Sequence, residues 1–504
     1  MPCPVSRGRY CTAYERSNGE LSLRMSNKYD PLSATIIRSS TFFLVATGTV
    51  IGFSNIWKFP SLMLENGGLL FLLAYIGCLL LLSVPLLCLE LGLGRIARCN
   101  PVSAVVLLAS KSNASHSWQV FAWFGMLAGL IVLAFYAVIG GMGLSYVFST
   151  AFGFFNDLSR SEVRGWLGQL QQDPASLMAW HSLFILMVVT IVARGVRDGL
   201  GRAARLLVPI LFFSLYVFML KDYVSGNLPA AVELLFRIEP EHFSWSSFFE
   251  ALSHAFFSFG FGLAVMFVLG SYMPEKMSIG KTALGIVTAD TVFAVAAGVV
   301  LIPLVSSHDD LPQYGFGLVF ETLPWVFGHM SFGQFWGAAF FVVLALAGWS
   351  SAVALAEPSV SWLIEFFRLT RRTAVMLLLI VVWGLATCLV YSFSAWQDLR
   401  FAGLSVFGLL DFLSSRFLIP TGGLLMVLFA GRRLNAGLLQ QRLGFRYSWL
   451  FSLIYGYLRW VAPFALLVIF LFGLQKLTVS TCMNRVEQDL LFCSMLDLRG
   501  LVES

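Results

Sequence analysis

The chain has 504 residues, of which 58% are hydrophobic and only 12% are charged, and its formal net charge is +6. Soluble domains carry roughly a quarter charged residues, so this composition excludes an ordinary soluble protein. The basic residues are spread over many loops and form no single patch, which argues against binding of nucleic acid. Long apolar stretches recur from Thr41 to Phe472 and predict an all-α polytopic membrane protein with one integral domain.

The N-terminal segment, residues 1–34, is polar and lacks an apolar run. We therefore predict a disordered cytoplasmic lead and not a cleaved signal peptide, with Met25 as a second candidate for the start. The membrane domain is predicted over residues 35–475 and contains eleven apolar spans. The predicted spans are 41–63, 68–93, 119–150, 178–194, 204–222, 249–273, 281–306, 333–366, 374–394, 403–430 and 448–473.

Two segments outside the spans carry predictions of their own. The connector 307–332 contains LPQYGFGLVFETLPWVFGHM, which we interpret as a short surface hairpin. The tail, residues 476–504, is interpreted as an amphipathic surface helix. Its two cysteines, Cys482 and Cys493, have no metal-type spacing, and the sequence leaves open whether they pair.

The distribution of basic residues predicts how the chain crosses the membrane. Sixteen Lys and Arg residues fall in the connectors after the even-numbered spans, and five fall in the other loops. Cytoplasmic loops carry the excess of positive charge. We therefore predict a multi-pass protein of the plasma (inner) membrane, with a cytoplasmic N-terminus and an extracytoplasmic C-terminus.

Two spans contain residues that a continuous membrane helix avoids. ATGTVIGFSNIWKFP in the first span holds two glycines together with Asn55 and Lys58, and SHAFFSFGFGLAVMF in the sixth holds Gly260 and Gly262. Glycine-interrupted spans at corresponding positions of two halves indicate a transporter binding site. Close helix packing is the alternative for glycines, but it does not explain a polar and an ionisable side chain at membrane depth.

Six stretches, in this order, resemble the neurotransmitter:sodium symporter family. They are GTVIGFSNIWKFP, ENGG, VPLLCLELGLGR, FFSFGFG, GLVFETLP and AGWSSAVALAEP. Together they cover nearly the whole membrane domain and are most similar to bacterial-type members with eleven spans. The resemblance implies an inverted five-plus-five helix repeat, called the LeuT fold, whose first and sixth helices are discontinuous.

The resemblance implies a second sodium site built from five oxygen atoms. These are the carbonyls of Gly48, Ile51 and Ala347 and the hydroxyls of Ser350 and Ser351. Oxygen ligands suit a hard cation. The alternative for the two serines is a helix-packing face or a hydrogen bond to the preceding turn.

The first sodium site is implied at the Val50 carbonyl, Asn55, Ser258 and Asp290, with the substrate carboxylate as a further ligand. Chloride-dependent relatives carry a neutral residue at the position of Asp290 and a serine one turn later, where this chain has Ala294. The resemblance therefore implies sodium coupling without chloride. The alternative is a snorkelling or protonated carboxyl group.

The implied substrate site lies between the two breaks. Its contacts are Val50, Gly52, Phe53, Ser54, Val132, Tyr136, Phe257, Ser258, Gly260, Leu263, Ser351 and Leu355. The lining is apolar and offers no fixed charge for a substrate side chain, which favours a neutral, hydrophobic or aromatic amino acid. Ordinary core packing is the alternative for each apolar member and for Tyr136.

The resemblance also implies two gates. Lys58 and Asp411 take the places of the outer ion pair, Phe257 that of an aromatic lid, and Glu365 that of the acidic inner gate. Lysine makes a point contact where the family more often has the two-pronged arginine. The basic inner partner has no match, since Arg38 is out of register.

We therefore expect a secondary active transporter that couples sodium to the uptake of a neutral amino acid by alternating access. No cofactor is expected beyond co-transported sodium, and the expected partners are the amino acid, sodium and the lipid bilayer, with the oligomeric state open. A sensor or channel-like relative without coupled transport is the alternative. The chain has no HExxH or GxSxG motif, which argues against an enzyme.

Overall fold

The computed structural model of the chain describes residues 14–17, 20–23, 37–226, 228–306, 315–401, 404–443 and 448–483. The described residues are almost entirely helical. The helices are α1 Ser39–Val50, α2 Phe53–Ile56, α3 Lys58–Glu65, α4 Leu69–Cys78, α5 Val84–Ala97, α6 Pro101–Lys111, α7 Val120–Ala151, α8 Arg160–Gln172, α9 Pro174–Val192, α10 Gly201–Val224, α11 Leu228–Phe236, α12 Trp245–Phe257, α13 Val265–Tyr272, α14 Ile279–Ser306, α15 Leu323–Gly328, α16 Gly333–Leu355, α17 Glu357–Phe367, α18 Arg371–Phe393, α19 Val406–Asp411, α20 Ile419–Arg432, α21 Ala436–Leu443 and α22 Ser448–Met483.

Short segments complete the secondary structure of the described residues. Four π-helical segments join or precede α-helices at Leu79–Ser83, Val196–Leu200, Leu318–Thr322 and Phe412–Leu418. Single 3₁₀ turns lie at His116–Gln119 and Pro240–His242. Two antiparallel two-stranded ribbons pair β1 Tyr14–Ser17 with β2 Glu20–Leu23 and β3 Arg400–Phe401 with β4 Leu404–Ser405.

Within the described residues, nine helical stretches are long and apolar enough to cross a membrane, and the bent first helix is a tenth. The interrupted pair α12 and α13 takes the place of the predicted sixth span. The eleven predicted apolar segments therefore all coincide with helices. This agreement confirms the prediction of an all-α polytopic membrane protein.

Both predicted breaks are present. The axes of α1 and of the stretch Phe53–Glu65 differ by 69°. In the second break, residues 258–264, the backbone leaves the helix through Gly260 and Gly262, with φ of +61° and +82°. These left-handed conformations are open to glycine at little steric cost, so the sequence FGFG ends the helix here.

The prediction for the connector 307–332 is wrong where the structure describes it. Residues 318–328 are helical, as a π-helical segment followed by α15, and they do not form a hairpin. The stretch is held by tertiary packing, because the Tyr146 hydroxyl donates to the Phe320 carbonyl at 2.9 Å. The β1–β2 ribbon lies in the segment predicted to be disordered, and residues 484–504 of the predicted tail helix lie outside the described residues.

Helices α5 and α13 approach each other at the level of their backbones. A Cβ atom on Gly94 would lie 1.9 Å from the Phe267 carbonyl oxygen, and one on Gly270 would lie 2.4 Å from that of Leu91. Gly141 in α7 is packed in the same way against the backbone of His181 in α9. Glycines therefore serve close packing of helices at these three positions.

Candidate ion and substrate site

The first break is stabilised by its own side chains. Helix α1 ends at Val50, and the extended residues Ile51 and Gly52 lead into α2. The Gly52 N–H donates to Asn55 Oδ1 at 3.2 Å, so the amide side chain folds back over the start of α2. Asn55 therefore satisfies part of the backbone that the break exposes.

The second break is held by a buried carboxyl group. The Gly262 N–H donates to Glu90 Oε1 at 2.9 Å, and Glu90 is only 1% exposed. A Cβ atom on Gly262 would lie 2.6 Å from the Ile419 carbonyl oxygen of α20. The open backbone is thus paired with α5 on one side and packed on α20 on the other.

The side chains predicted for the first sodium site lie together between the two breaks. Asn55 Nδ2 donates to Asp290 Oδ1 at 2.7 Å, and Ser258 Oγ donates to Asp290 Oδ2 at 3.2 Å. Asp290 is fully buried. A buried carboxylate in an apolar bundle requires a compensating charge, and the oxygen atoms gathered here are the ligands a hard cation prefers.

The residues predicted for the second sodium site also converge. Ser351 Oγ donates to the Ile51 carbonyl at 3.0 Å, which joins α16 to the first break. A Cβ atom on Gly48 would lie 2.6 Å from Ser350 Oγ, so the two helices touch at this point. Ala347 is fully buried in the same face of α16.

A cavity of about 560 Å³ adjoins the two breaks. Ten of the twelve predicted substrate residues line it, namely Val50, Ser54, Val132, Tyr136, Phe257, Ser258, Gly260, Leu263, Ser351 and Leu355. Gly52 lies beside it, since a Cβ atom there would be 2.7 Å from Tyr136 Oη. The phenol, the first break and the apolar wall therefore enclose one space.

Phe53 does not line this cavity, in contrast to its predicted role. Its ring is 3% exposed and packs on Gly348, where a Cβ atom would lie 2.1 Å from Phe53 Cζ. The ring also stacks on Tyr136 with centroids 4.8 Å apart. The Phe53 ring therefore fills the space beside Gly348 and packs against the Tyr136 ring.

The predicted outer gate residues, Lys58 and Asp411, line the same cavity. Both residues lie in the part of the chain that the structure describes, and Lys58 forms no ion pair with Asp411 there. Asp411 Oδ1 accepts a hydrogen bond from Ser415 at 3.1 Å, and Asp411 Oδ2 lies 3.9 Å from Arg416 Nε. Arg416 in turn donates to the Gly473 carbonyl of α22 at 3.0 Å.

At the opposite end, Glu365 accepts hydrogen bonds from Asn100, the residue that caps the start of α6. Its Oε2 accepts from the Asn100 backbone N–H at 2.9 Å and from Asn100 Nδ2 at 2.5 Å. This end also contains an ion pair between Glu357 and Arg371 that was not predicted. Arg371 donates to Glu357 at 3.0 and 2.5 Å, and the Tyr272 hydroxyl donates to Glu357 Oε1 at 2.7 Å.

The sequence analysis assigned no role to three charged residues at these two ends, namely Arg416, Glu357 and Arg371. Arg416 carried a usable signal, because an ionisable residue within an apolar span defaults to function. Glu357 lies within the quoted stretch AGWSSAVALAEP but was assigned no role. Arg371 was counted only as a basic loop residue, and its Nε donates to the Val192 carbonyl at 2.7 Å.

The sequence and the fold both match known transporters. The profile of the sodium:neurotransmitter symporter family matches residues 35–160 and 167–487. The sodium-dependent transporter YhdH of Bacillus subtilis (strain 168) is 31% identical over 442 residues, which are 85% of this chain and 95% of that protein. A sodium-dependent transporter of Haemophilus influenzae is 26% identical over 86% of this chain and 96% of its own.

Similarity extends to animal proteins and to a solved structure. The sodium- and chloride-dependent creatine transporter 1 of Oryctolagus cuniculus is 23% identical over 76% of this chain and 68% of its own. The crystal structure of MhsT in complex with L-phenylalanine has a TM-score of 0.77 and 30% identity, and the match covers 87% of this chain and 99% of MhsT.

These matches confirm the predicted fold class and the resemblance on which it was based, and they agree with a multi-pass membrane protein. Family members are transporters, so the prediction that the chain is not an enzyme is confirmed as well. The chain belongs to the sodium:neurotransmitter symporter family.

Proposed function

We propose that the protein couples the movement of sodium to the uptake of a neutral amino acid with a hydrophobic or aromatic side chain. The observation that carries this proposal is the cluster of Asn55, Ser258 and Asp290. It joins both broken helices to α14 and adjoins the cavity. A cation among these oxygen atoms would lie next to the space that holds the substrate.

The shape and chemistry of the cavity support a substrate with an apolar side chain. Val132, Leu263 and Leu355 form walls near the breaks. The cavity is also lined by five charged residues, namely Lys58, Glu65, Glu250, Asp411 and Arg416, of which Lys58 and Asp411 are the predicted outer gate. An amino-acid carboxylate would fit between the Tyr136 hydroxyl and the backbone at Gly52. The structure of MhsT with L-phenylalanine, at 30% identity, supports a substrate of this class.

Binding of ion and substrate would be mutually favourable in this arrangement. The substrate carboxylate would supply a ligand to the cation at the first sodium site, so each would raise the affinity of the other by the same factor. The second sodium site would link Ser351 and Ser350 to the first break. Two cations would therefore order the open backbone on which the substrate is bound.

We also propose that transport does not require chloride. With a cation bound beside it, Asp290 would contribute its own negative charge to the ion cluster, and Ala294, one turn later, offers no hydroxyl group to an anion. The related creatine transporter carries chloride dependence in its name. The fixed carboxylate would take the place that a bound anion has in such relatives.

Uptake into proteoliposomes tests the proposal. Radiolabelled phenylalanine, tryptophan, leucine, glutamate and lysine are offered under an inward gradient of sodium chloride, sodium gluconate or potassium chloride. We expect concentrative uptake of the neutral amino acids in both sodium salts and none in potassium. Sodium-dependent binding without uptake would instead support the sensor, and sustained ionic current far above carrier turnover would support the channel.

A further inference from the structure

Two arginines and a tryptophan form a positively charged cluster on the outside of the bundle. The guanidinium carbon of Arg432 lies 5.5 Å from the centroid of the Trp460 ring, and that of Arg459 lies 5.7 Å from the same centroid. All three side chains are exposed, and Trp460 is 65% exposed. Both distances suit a cation–π interaction, so one ring holds two positive charges near each other.

The two arginines come from different helices that touch by their backbones. Arg432 is the last residue of α20, and Arg459 belongs to α22. A Cβ atom on Gly431 would lie 2.9 Å from Arg459 Cα and 2.9 Å from the Leu458 carbonyl oxygen. The close approach places the cluster at the level where α20 ends, which is the end of the bundle predicted to be cytoplasmic.

In the part of the chain that the structure describes, this cluster has no acidic partner. The sequence contains no Asp or Glu between Asp411 and Glu487. The ion pairs within the described residues involve neither Arg432 nor Arg459. Two guanidinium groups held near one ring repel each other, and an anion from outside the chain would relieve that repulsion.

An apolar stripe runs along α22 from the cluster toward the other end of the bundle. Trp460, Phe464, Leu467 and Leu471 follow each other at helical spacing and are 65%, 68%, 41% and 54% exposed. At 1.5 Å per residue the stripe is about 16 Å long. This length is about half of the hydrocarbon thickness of a bilayer, which is the depth of one lipid leaflet.

We propose that Arg432, Arg459 and Trp460 bind the phosphate headgroup of an anionic phospholipid, with an acyl chain along Phe464, Leu467 and Leu471. The planar guanidinium group matches phosphate oxygens with two parallel hydrogen bonds. Tryptophan prefers the membrane–water interface, and basic pockets between helices on the cytoplasmic side suit anionic headgroups. The site lies outside the substrate cavity and does not depend on the proposed transport.

Lipid-dependent stability and lipid binding test this site. The detergent-purified protein is titrated with phosphatidylglycerol, phosphatidylcholine or inorganic phosphate, and the unfolding temperature is measured alongside bound lipid by native mass spectrometry. We expect phosphatidylglycerol alone to bind and to raise the unfolding temperature. The double variant R432Q/R459Q should bind it about ten- to thirtyfold more weakly.

Matched variants separate a built site from general attraction to charge. Arg433→Gln removes a neighbouring exposed arginine that does not lie over the ring, and it should bind phosphatidylglycerol as the unaltered protein does. R432K/R459K keeps the charge without the planar fork and should fall between the two. The wild-type titration needs no variant, so it remains informative if a substitution impairs folding.

Several outcomes would overturn the proposal. One is equal binding of phosphatidylcholine, and another is a loss in Arg433→Gln as large as in the double variant. Inorganic phosphate that stabilises as well as the lipid would show a plain anion site. A shift of R432Q/R459Q from dimer to monomer with unchanged lipid binding would assign the surface to a second copy of the chain.

Discussion

Asp290 is the residue on which the proposed chloride independence depends. Asp290→Asn removes the negative charge from the cluster with Asn55 and Ser258 while keeping its size. We expect sodium-dependent uptake to fall at least about tenfold in sodium gluconate, because a one-unit charge change at a buried ion site exceeds 1.4 kcal/mol. Uptake into proteoliposomes is measured in sodium gluconate and in sodium chloride.

Asp198→Asn is the matched control, since this exposed carboxylate pairs with Arg202 far from the cavity lining. It should transport normally in both salts. Full activity of Asp290→Asn in chloride-free medium would contradict the assignment of a fixed charge to Asp290.

Gly52 is the point at which the first break meets Tyr136, which we propose to bind the substrate carboxylate. A Cβ atom there would lie 2.7 Å from Tyr136 Oη and 3.1 Å from Ser351 Oγ. Gly52→Ala should therefore displace the hydroxyl groups and weaken amino-acid binding at least about tenfold, the loss of one good hydrogen bond. Scintillation-proximity binding with labelled substrate measures this change.

Gly77→Ala provides the comparison, because a Cβ atom on Gly77 meets nothing within 4 Å. Alanine is the better helix former, so this variant should bind substrate normally and be at least as stable. Equal losses in both variants would show that the effect at Gly52 is not local.

At the scale of residues, the sequence predicts the ion cluster better than the gates. Asn55 and Asp290 stand out because they are polar or charged within apolar spans, and the structure brings them into contact. Glu357 lies within the predicted span 333–366 and carries the same signal, but its partner Arg371 lies outside the predicted spans and does not. Their pairing depends on how α17 and α18 fold back on each other, and the spacing of residues along one helix does not contain that information.

At the scale of elements, the second break is set by its glycines to different degrees. Gly262 combines a φ of +82° with a Cβ position 2.6 Å from the Ile419 carbonyl, whereas Gly260 faces only the Leu263 side chain at 3.0 Å. Gly262→Ala should cost about 2–5 kcal/mol of stability from strain and overpacking together. Gly260→Ala should cost about 1–2 kcal/mol, from strain alone.

The stabilities of Gly262→Ala and Gly260→Ala are compared by thermal unfolding in detergent. The readout is the loss of the monodisperse protein peak with temperature. Gly280→Ala, where a Cβ atom meets nothing within 4 Å, serves as the unperturbed reference. A smaller loss at Gly262 than at Gly260 would contradict the packing described for the break.

The ion pair of Glu357 and Arg371 ties α17 to α18, and Arg371 also reaches the end of α9. Glu357→Gln should lower stability by about 3–5 kcal/mol, since it leaves a largely buried guanidinium group without its carboxylate. The double variant E357Q/R371Q should lose less than either single change. Unfolding temperatures of the three variants measure this non-additivity.

Arg372→Gln is the control, because Arg372 is exposed on the neighbouring position of α18. It should unfold at the temperature of the unaltered protein. Additive losses in the double variant would contradict the pairing of the two residues.

The positions of the elements follow closely from the apolar segments and from the glycines at the breaks. The exception is residues 318–328, which the sequence analysis interpreted as part of a short surface hairpin but which are helical. Proline is tolerated in the first turn of a helix, and Pro324 is the second residue of α15. Aromatic contacts of Phe320 with Tyr146 and Phe341 then hold the segment, and a local pattern does not reveal contacts of that range.

At the scale of the whole molecule, the eleven predicted spans and the distribution of basic residues predict that the two termini lie on opposite sides of the membrane. Alkaline phosphatase fused after Ser504 should be active in the periplasm of a bacterial host, and the same enzyme fused after Arg446 should be inactive. A green fluorescent protein at the same two sites should give the reverse pattern. Alkaline phosphatase activity in the fusion after Arg446 would contradict the predicted orientation.

The backbone contact between α5 and α13 has a mechanical consequence. Gly94 and Gly270 leave no side chain between the two helices, and Glu90 binds the break just before α13. Because the main chains of α5 and α13 are in direct contact at these glycines, we expect the two helices to move as one rigid unit. A conformational change that displaces α13 should therefore displace α5 by the same amount.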